Sequence, residues 1–191
     1  MLEQRPVVVK PAADVAGVSV HRVGTEAELE RAADEVAGRG LEFLVEPFLP
    51  GREFTVAVEI ELTTPLFDYA AKYRAGAVRE LCPAPVEEGF AARLRELAPA
   101  AHRALGFGAD AYSHTDFRCD ASGEPMCIEV NALPGLAATS LLPPAASGAG
   151  WSHPKLTQRI LDLAGGLSRP GGPWCRGSGR RVPKLRVCRA E

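Results

Sequence analysis

In the segment Thr115–Asn131, TDFRCDASGEPMCIEVN, two of the carboxylates, Asp116 and Glu129, and the carboxamide of Asn131 stand at a spacing that suits metal binding. Polar and apolar residues alternate on both sides of DASG, which is the pattern of a β-hairpin. A turn centred between the serine and the glycine of DASG pairs Asp116 with Glu129, and directly opposite residues have Cβ atoms about 5 Å apart. Asn131 lies two residues after Glu129, so we expect it on the same face of the hairpin.

Two interpretations of this hairpin face remain open. It is either a solvated sheet face, on which acidic residues are common, or a site for a hard cation. Carboxylate and amide oxygens are ligands of Mg²⁺, which usually binds one or two protein carboxylates together with substrate phosphates. The metal interpretation therefore requires phosphate-binding groups elsewhere in the chain.

Other residues provide candidates for those groups. Lys10 ends an apolar strand before a loop, where its ammonium suits a phosphate, although a strand-end lysine often extends into water. Glu46 and Glu53 flank a linker between strands and are candidate acceptors for a base amine or ribose hydroxyls, or else solvated turn charges. Lys72 and Tyr73, in FDYAAKY, form a second candidate phosphate contact or an exposed loop.

Composition places the chain among ordinary globular proteins. It has 191 residues, of which 46% are hydrophobic and 24% charged, enough for one domain or two small lobes. No apolar run approaches the ~20 residues of a membrane span, and the first residues lack a signal-peptide pattern. The five cysteines form no CxxC pair. An odd number of cysteines without a secretory signal is typical of reduced thiols, so we expect a cytoplasmic protein.

The last residues differ from the rest. Residues 168–191 are rich in Gly, Pro and Arg and carry seven Lys or Arg against one acidic residue. This composition predicts a disordered tail. A nucleic-acid-binding arm is the weaker alternative, and we expect no nucleic-acid partner.

Hydrophobic periodicity predicts an α+β fold of antiparallel strands with flanking helices. Thr25 and Glu28 form a capping-box pattern at the start of the first helix. A second helix is predicted over about 86–105, with Pro99 as a kink or break, and a last one near 154–163. Predicted strands are PVVVK, VSVHRV, EFLVE, a single long strand REFTVAVEIE, and the two arms of the hairpin, whereas residues 63–85 are predicted to be irregular.

Taken in order, these pieces resemble the D-alanine–D-alanine ligase branch of the ATP-grasp superfamily over about residues 5–165. The matching segments are VVKPA, AADVAGVSV, LVEPFLPGREFTV, FDYAAKY, CPAP and TDFRCDASGEPMCIEVNALPGLAATSLLP. The resemblance implies an ATP-grasp fold without the family's N-terminal domain. It also implies a division into residues 1–53 (the remainder of the central lobe), 54–167 (the C-terminal lobe) and the tail 168–191.

The resemblance also implies a role for each matching residue. ATP would be bound by Lys10, Gly17, Glu46, Pro47, Leu49, Glu53, Lys72 and Tyr73. Two magnesium ions, or manganese, would be bound by Asp116, Glu129 and Asn131. The acceptor amino acid's carboxylate and the oxyanion would be held by Gly135, Ser140 and Leu141, and the implied catalytic residues are Lys72, His114, Gly135 and Ser140.

Three departures from the family pattern bear on activity. His114 replaces an arginine beside the metal-binding aspartate, and a histidine is shorter and only partly charged near neutral pH. The phosphate loop lacks the family's serine-rich sequence, although Gly17 and Ser19 keep small residues there. The parts that bind the first substrate's amine are missing, so we expect an incomplete site that needs a complementing N-terminal half or a homodimer.

The function implied by the resemblance is ATP-dependent joining of D-alanine or a similar amino acid into a dipeptide for peptidoglycan, through an acyl phosphate. The alternatives are an amino-acid ligase of specialised metabolism and a catalytically impaired fragment or paralogue that binds ATP and magnesium.

Overall fold

The computed structural model describes residues 6–12, 18–55, 58–62, 66, 78–137 and 140–167. Its strands are β1 (Val7–Pro11), β2 (His21–Val23), β3 (Phe43–Pro47), β4 (Glu53–Thr55), β5 (Val58–Leu62), β6 (Val78–Leu81), β7 (His114–Cys119) and β8 (Pro125–Asn131). Its helices are α1 (Glu26–Gly38), α2 (Glu88–Ala104), α3 (Leu142–Gly148) and α4 (His153–Leu167).

The strands form two antiparallel sheets. The first has three strands in the order β2-β1-β3, and the second has five in the order β6-β5-β4-β7-β8. A helix covers one face of each sheet and builds a core there. Helix α1 packs on Val9 and Val23 of the first sheet, and α2 packs through Leu94 on Phe54 and Phe117 of the second. The predicted α+β class, with antiparallel sheets and flanking helices, is confirmed.

Helix α1 begins at the predicted capping box. The Glu28 amide donates to Thr25 Oγ1 at 3.3 Å, and Glu28 Oε2 accepts from the amides of Gly24 and Thr25. These hydrogen bonds favour the ionised carboxylate and lower the pKa of Glu28, and the bond from the Gly24 amide has the largest effect. The reciprocal bonds satisfy amides that the first turn leaves without helical partners.

Two sequence predictions of secondary structure are wrong. The segment REFTVAVEIE is two strands, β4 and β5, which pair antiparallel with Thr55 opposite Val58. Alternation alone does not separate one long strand from two that fold back on each other. The stretch predicted to be irregular contains the edge strand β6, which pairs with β5.

Helix α2 is continuous, and the short helix α3 was not predicted from the sequence. Helix α2 continues through Pro99 to Ala104. Its apolar residues Leu94 and Leu97 pack on the sheet, and that burial favours the continuous helix over a break. The short α3 starts where a loop was predicted, with prolines in its first turn, where their missing amides cost nothing. In the part of the chain described, no helix is both long and apolar enough to span a membrane.

A bulge sets the register of the hairpin β7–β8. Next to the turn, Phe117 pairs with Cys127, one residue away from the predicted register. Asp116 nevertheless pairs with Glu129, so Ile128 is an extra residue on β8. The predicted pairing of Asp116 with Glu129 is thus confirmed, although the turn is not centred where the sequence suggested.

The turn itself explains the shift. Asp120 Oδ1 accepts hydrogen bonds from the amides of Ser122 and Glu124 at 2.8 and 3.0 Å. The Asp120 amide donates to the Glu124 carbonyl, which leaves a three-residue loop, and Gly123 closes it at φ +90°. This positive φ favours glycine, as in the common three-residue hairpin.

Candidate functional site

A cleft lies between the two sheets and collects most of the described candidate residues. β1 and β3 contribute from the first sheet, and β4, β7 and β8 from the second. The polar and charged lining residues are Lys10, Glu46, Glu53, Asp116, Arg118 and Glu129. The other lining residues are Val8, Val20, Pro47, Phe48, Leu49, Leu66 and Ile128. The cleft is therefore apolar in one part and densely charged in another.

Lys10 spans the two sheets. Its Nζ lies 2.7 Å from Glu46 Oε2 and donates to the Ile128 carbonyl at 2.9 Å. Ile128 is the bulged residue of β8, so the bulge supplies a carbonyl acceptor at the cleft. The side chain is only 19% exposed and does not extend into water. An ammonium has three donors, so these two contacts leave capacity for an anionic ligand.

The linker after β3 lines the apolar part of the cleft. Pro47, Phe48 and Leu49 all contribute to the wall, and the Phe48 amide donates to the Pro6 carbonyl at 3.0 Å. The Phe48 ring lies 5.1 Å from the guanidinium carbon of Arg118 and 4.8 Å from that of Arg22. A flat apolar wall beside backbone polar groups suits a planar base.

Gly51 in the same linker allows a close approach to β7. Its amide donates to the Cys119 carbonyl at 2.9 Å, and a Cβ at this position would lie 2.6 Å from both Cys119 Cβ and that carbonyl oxygen. The glycine therefore fixes how closely the linker lies on the second sheet, two residues before Glu53.

Glu53 is buried beneath the cleft. It is 5% exposed, and Arg118 Nη1 donates to its Oε2 at 3.1 Å. The two residues are Cα partners on β4 and β7. A carboxylate accepts up to about four hydrogen bonds, so one carboxylate can accept from an arginine and from ligand hydroxyls together.

The acidic face holds Asp116 and Glu129 side by side. Thr55 donates its hydroxyl hydrogen to Asp116 Oδ1, and His114 Nε2 lies 3.3 Å from Asp116 Oδ2. Asn131 lies on β8 opposite His114, and its Oδ1 accepts from the Leu133 amide at 2.9 Å. His114 thus lies beside the aspartate, as the sequence comparison with the family pattern implied.

The chemistry of these donors is that of magnesium ligands, because carboxylate and amide oxygens are hard donors. Among the described residues, no group of three or more His, Cys, Asp and Glu side chains could by itself hold a metal ion. Two carboxylates and an amide leave coordination positions that phosphate oxygens and water would fill, which is how Mg²⁺ is usually held.

The loop after β8 brings two candidate residues together. A Cβ on Gly135 would collide with Ser140 Oγ, so a larger residue there would require the serine side chain to turn away. The Ser140 amide donates to the Ala137 carbonyl at 2.9 Å, and Leu141 directly precedes α3. His153 at the start of α4 contacts the Leu136 carbonyl at 2.9 Å and ties the loop down. These residues lie outside the lining of the cleft.

Sequence reasoning covered part of the site and missed three residues. Gly17, Lys72, Tyr73 and the tail 168–191 lie outside the described residues. The missed residues are Phe48, Thr55 and Arg118. Arg118 carried a usable signal, because it lies two residues after Asp116 on the same strand and so on the same face.

Comparisons with known proteins identify the family of this chain. The family described as D-ala D-ala ligase C-terminus matches residues 3–162. A D-alanine--D-alanine ligase of Anaeromyxobacter dehalogenans (strain 2CP-C) is 42% identical over 83% of this chain and 54% of that protein. A D-alanine--D-alanine ligase of Oleidesulfovibrio alaskensis is 40% identical over 87% of this chain and 56% of that protein. The chain thus spans about half the length of the curated relatives it matches.

Solved structures show the same fold. The D-alanine--D-alanine ligase of Bacillus anthracis matches with a TM-score of 0.70 and 28% identity, over 86% of this chain and 56% of that one. The VanG D-Ala:D-Ser ligase of Enterococcus faecalis matches with a TM-score of 0.68 and 27% identity, over 83% of this chain and 49% of that one. The expected ATP-grasp fold is confirmed for the part of those proteins that this chain covers.

Proposed function

Because this chain belongs to the D-alanine–D-alanine ligase family through that family's C-terminal portion, we propose that it forms the nucleotide- and metal-binding part of an ATP-dependent carboxylate–amine ligase. The observation that carries the proposal is the convergence of Lys10, Glu46, Glu53, Asp116 and Glu129 on one cleft. They arrive on five strands of two sheets, an arrangement that a solvated surface does not require.

Each part of the cleft has a task in this proposal. The base lies against Pro47–Leu49, with Glu46 beside it, and Glu53 accepts from the ribose hydroxyls. Lys10 binds the α-phosphate, and Lys72, with Tyr73 beside it, closes over the terminal phosphates. Gly17 belongs to the loop that covers the phosphates. Together these groups hold ATP so that its terminal phosphate lies at the acidic face.

Asp116, Glu129 and Asn131 would hold two Mg²⁺ ions, or Mn²⁺, which neutralise negative charge on the phosphates. The protein's own residues prepare this face. Thr55 and His114 contact separate oxygens of Asp116, so the carboxylate is oriented before ligands arrive.

The reaction is the joining of two amino acids. The carboxylate of the first attacks the terminal phosphate of ATP and gives an acyl phosphate and ADP. The amine of the second then attacks the acyl carbon, and phosphate leaves. Gly135, Ser140 and Leu141 hold the second amino acid's carboxylate and stabilise the developing oxyanion.

We propose D-alanine or a similar small amino acid as substrate and peptidoglycan precursor synthesis as the role, with specialised metabolism as the alternative. The covered part divides into residues 1–53 and 54–167, and the tail 168–191 adds no catalytic residue. Because the chain spans about half of its relatives, the partner we propose is a chain carrying the other half of the ligase, or a second copy.

One observation favours a second candidate, a nucleotide-binding module without ligase activity. His114 stands where the family pattern has an arginine, and it is already engaged with Asp116. A histidine does not reproduce the fixed donor fork of an arginine.

D-alanine-dependent ADP release from Mg·ATP tests the two candidates, with dipeptide followed by chromatography and the His114→Arg variant run beside the natural chain. Release by either protein supports the ligase. Saturable ATP binding without release by either protein, when the N-terminal half of a related ligase is supplied in trans, supports the binding module. Absence of ATP binding by the folded chain contradicts both.

A further inference from the structure

Arg118 is a buried cation in the cleft, and the roles assigned above do not include it. It is 9% exposed and lies on β7 two residues after Asp116, on the face that lines the cleft. The core face of the same strand holds Phe117 and Cys119, which pack against α2. Strand alternation therefore directs the guanidinium toward the proposed nucleotide rather than into the core.

Its contacts join two parts of the nucleotide site. Nη1 donates to Glu53 Oε2 at 3.1 Å, and the guanidinium carbon lies 5.1 Å from the centroid of the Phe48 ring. Glu53 is the proposed ribose acceptor, and Phe48 lies between the two residues proposed to read the base. A single side chain thus touches both the ribose and the base subsites.

The energetics of this pair argue against a purely stabilising role. Burial lowers the pKa of Arg118, and the charge of Glu53 opposes that shift. A buried ion pair usually contributes no more stability than well-packed apolar residues would, because both charges lose their water. Because the pair lies under a ligand cleft, ligand binding explains its burial better than fold stability does.

We propose that Arg118 is a positioning residue for the ribose. It holds the Glu53 carboxylate in the orientation that accepts the ribose hydroxyls of a nucleoside triphosphate, and it holds the Phe48 ring beside that carboxylate. The proposal rests on the proposed function. It predicts that the cleft selects ribonucleotides over nucleotides without sugar hydroxyls, and that Arg118 sets this selectivity through Glu53.

The test compares two nucleotides on one protein. Mg·ATP and Mg·2′,3′-dideoxyATP are titrated calorimetrically into the full chain and into Arg118→Met, Arg118→Lys and Glu53→Gln. Arg159→Met on α4 is the control, because that arginine is exposed and far from the cleft residues in sequence. Circular dichroism and thermal unfolding establish that each variant is folded.

We expect the natural chain and Arg159→Met to bind ATP about tenfold more tightly than dideoxyATP, the effect of hydrogen bonds to a charged group. In Arg118→Met and Glu53→Gln this ratio falls close to one, while dideoxyATP affinity changes less than about twofold. Arg118→Lys keeps part of the ratio, because it keeps the charge without the planar fork.

Several results would overturn the inference. One is a folded Arg118→Met that keeps the full ratio, and another is equal weakening of both nucleotides by that variant, since either removes the link to the ribose. A natural chain that binds ATP without preferring it over dideoxyATP also contradicts the inference, yet leaves the proposed function standing. A natural chain that binds neither nucleotide overturns both.

If Arg118→Met does not fold, Arg118→Met/Glu53→Gln replaces it, because the double variant leaves no buried unpaired charge. Its affinities for both nucleotides should equal those of Glu53→Gln alone. A further tenfold loss in the double variant would mean that Arg118 acts on the nucleotide directly, and the positioning role would be wrong.

Discussion

Thr55 on β4 donates its hydroxyl hydrogen to Oδ1 of Asp116, its Cα partner on β7. Thr55 is 2% exposed, so solvent does not compete for this hydrogen bond. On the other side of the carboxylate, His114 contacts Oδ2. The proposed metal ligand is therefore oriented from both sides by residues of the sheet itself.

Thr55→Val should raise the Mg²⁺ concentration needed for nucleotide binding about tenfold. The reason is that removal of a residue that orients a metal ligand typically costs 10–100-fold in metal affinity. The measurement is ATP binding by calorimetry over a range of Mg²⁺ concentrations. Thr157→Val is the matched control, since that hydroxyl donates to the His153 carbonyl within the exposed part of α4. An unchanged magnesium dependence in Thr55→Val would show that Asp116 needs no orientation.

Lys10→Met should lower ATP affinity at least about tenfold, because it removes a charge-assisted donor that lies inside the cleft. Lys155→Met is the control, because Lys155 lies over the Trp151 ring on another part of the surface. Equal affinities for the two variants would mean that Lys10 serves only to join Glu46 and the Ile128 carbonyl.

Gly51→Ala should destabilise the fold by about 1–3 kcal/mol, as overpacking against a fixed neighbour usually does. The added Cβ would meet Cys119 backbone and Cβ atoms. Gly89→Ala is the control, because no atom lies within 4 Å of its new Cβ and alanine favours the helix. Urea unfolding measures both, and equal stabilities would show that the linker moves away at little cost.

The capping box makes a prediction about acid stability. Thr25→Ala should cost about 1 kcal/mol of unfolding free energy at neutral pH. Hydrogen bonds lower the pKa of Glu28 below its usual 4.5, so its contribution is present above about pH 4.5 and is lost as pH falls through the lower, folded-state pKa.

Glu28→Gln should accordingly be less stable than the natural chain at neutral pH, with a difference that shrinks below about pH 4.5. Thermal unfolding at a series of pH values measures it, with Glu30→Gln, on the exposed part of α1, as control. A difference that stays constant down to strong acid would argue against the carboxylate as the capping group.

Local chemistry explains which parts of the fold were predictable from the sequence. Thr25 and Glu28 signal their helix because the capping bonds lie within four residues. The hairpin was recognisable because DASG is turn chemistry between alternating arms. By contrast, β4 and β5 were read as one strand, since their reversal lacks a Gly, Pro, Asn or Asp at its centre.

Part of the candidate site was also predictable from the sequence, and part was not. Lys10, Glu46 and Glu53 were selected by their residue type and their positions at the ends of predicted strands, and the structure brings them to one cleft. The ion pair between Arg118 and Glu53 joins residues 65 positions apart and depends on the β4–β7 register. The acceptor carbonyl of Ile128 depends on a bulge. Neither the register nor the bulge follows from local propensity, so neither contact was predictable.

The most direct test of the account is calorimetric titration of Mg·ATP into the natural chain and into Glu129→Gln, with Glu30→Gln as a charge-matched control. We predict saturable binding by the natural chain and the control, and loss of at least about tenfold in affinity for Glu129→Gln, because the amide lacks the charge that holds the cation. No binding at millimolar nucleotide by the folded natural chain, or equal binding by Glu129→Gln, would contradict the proposed nucleotide and metal site.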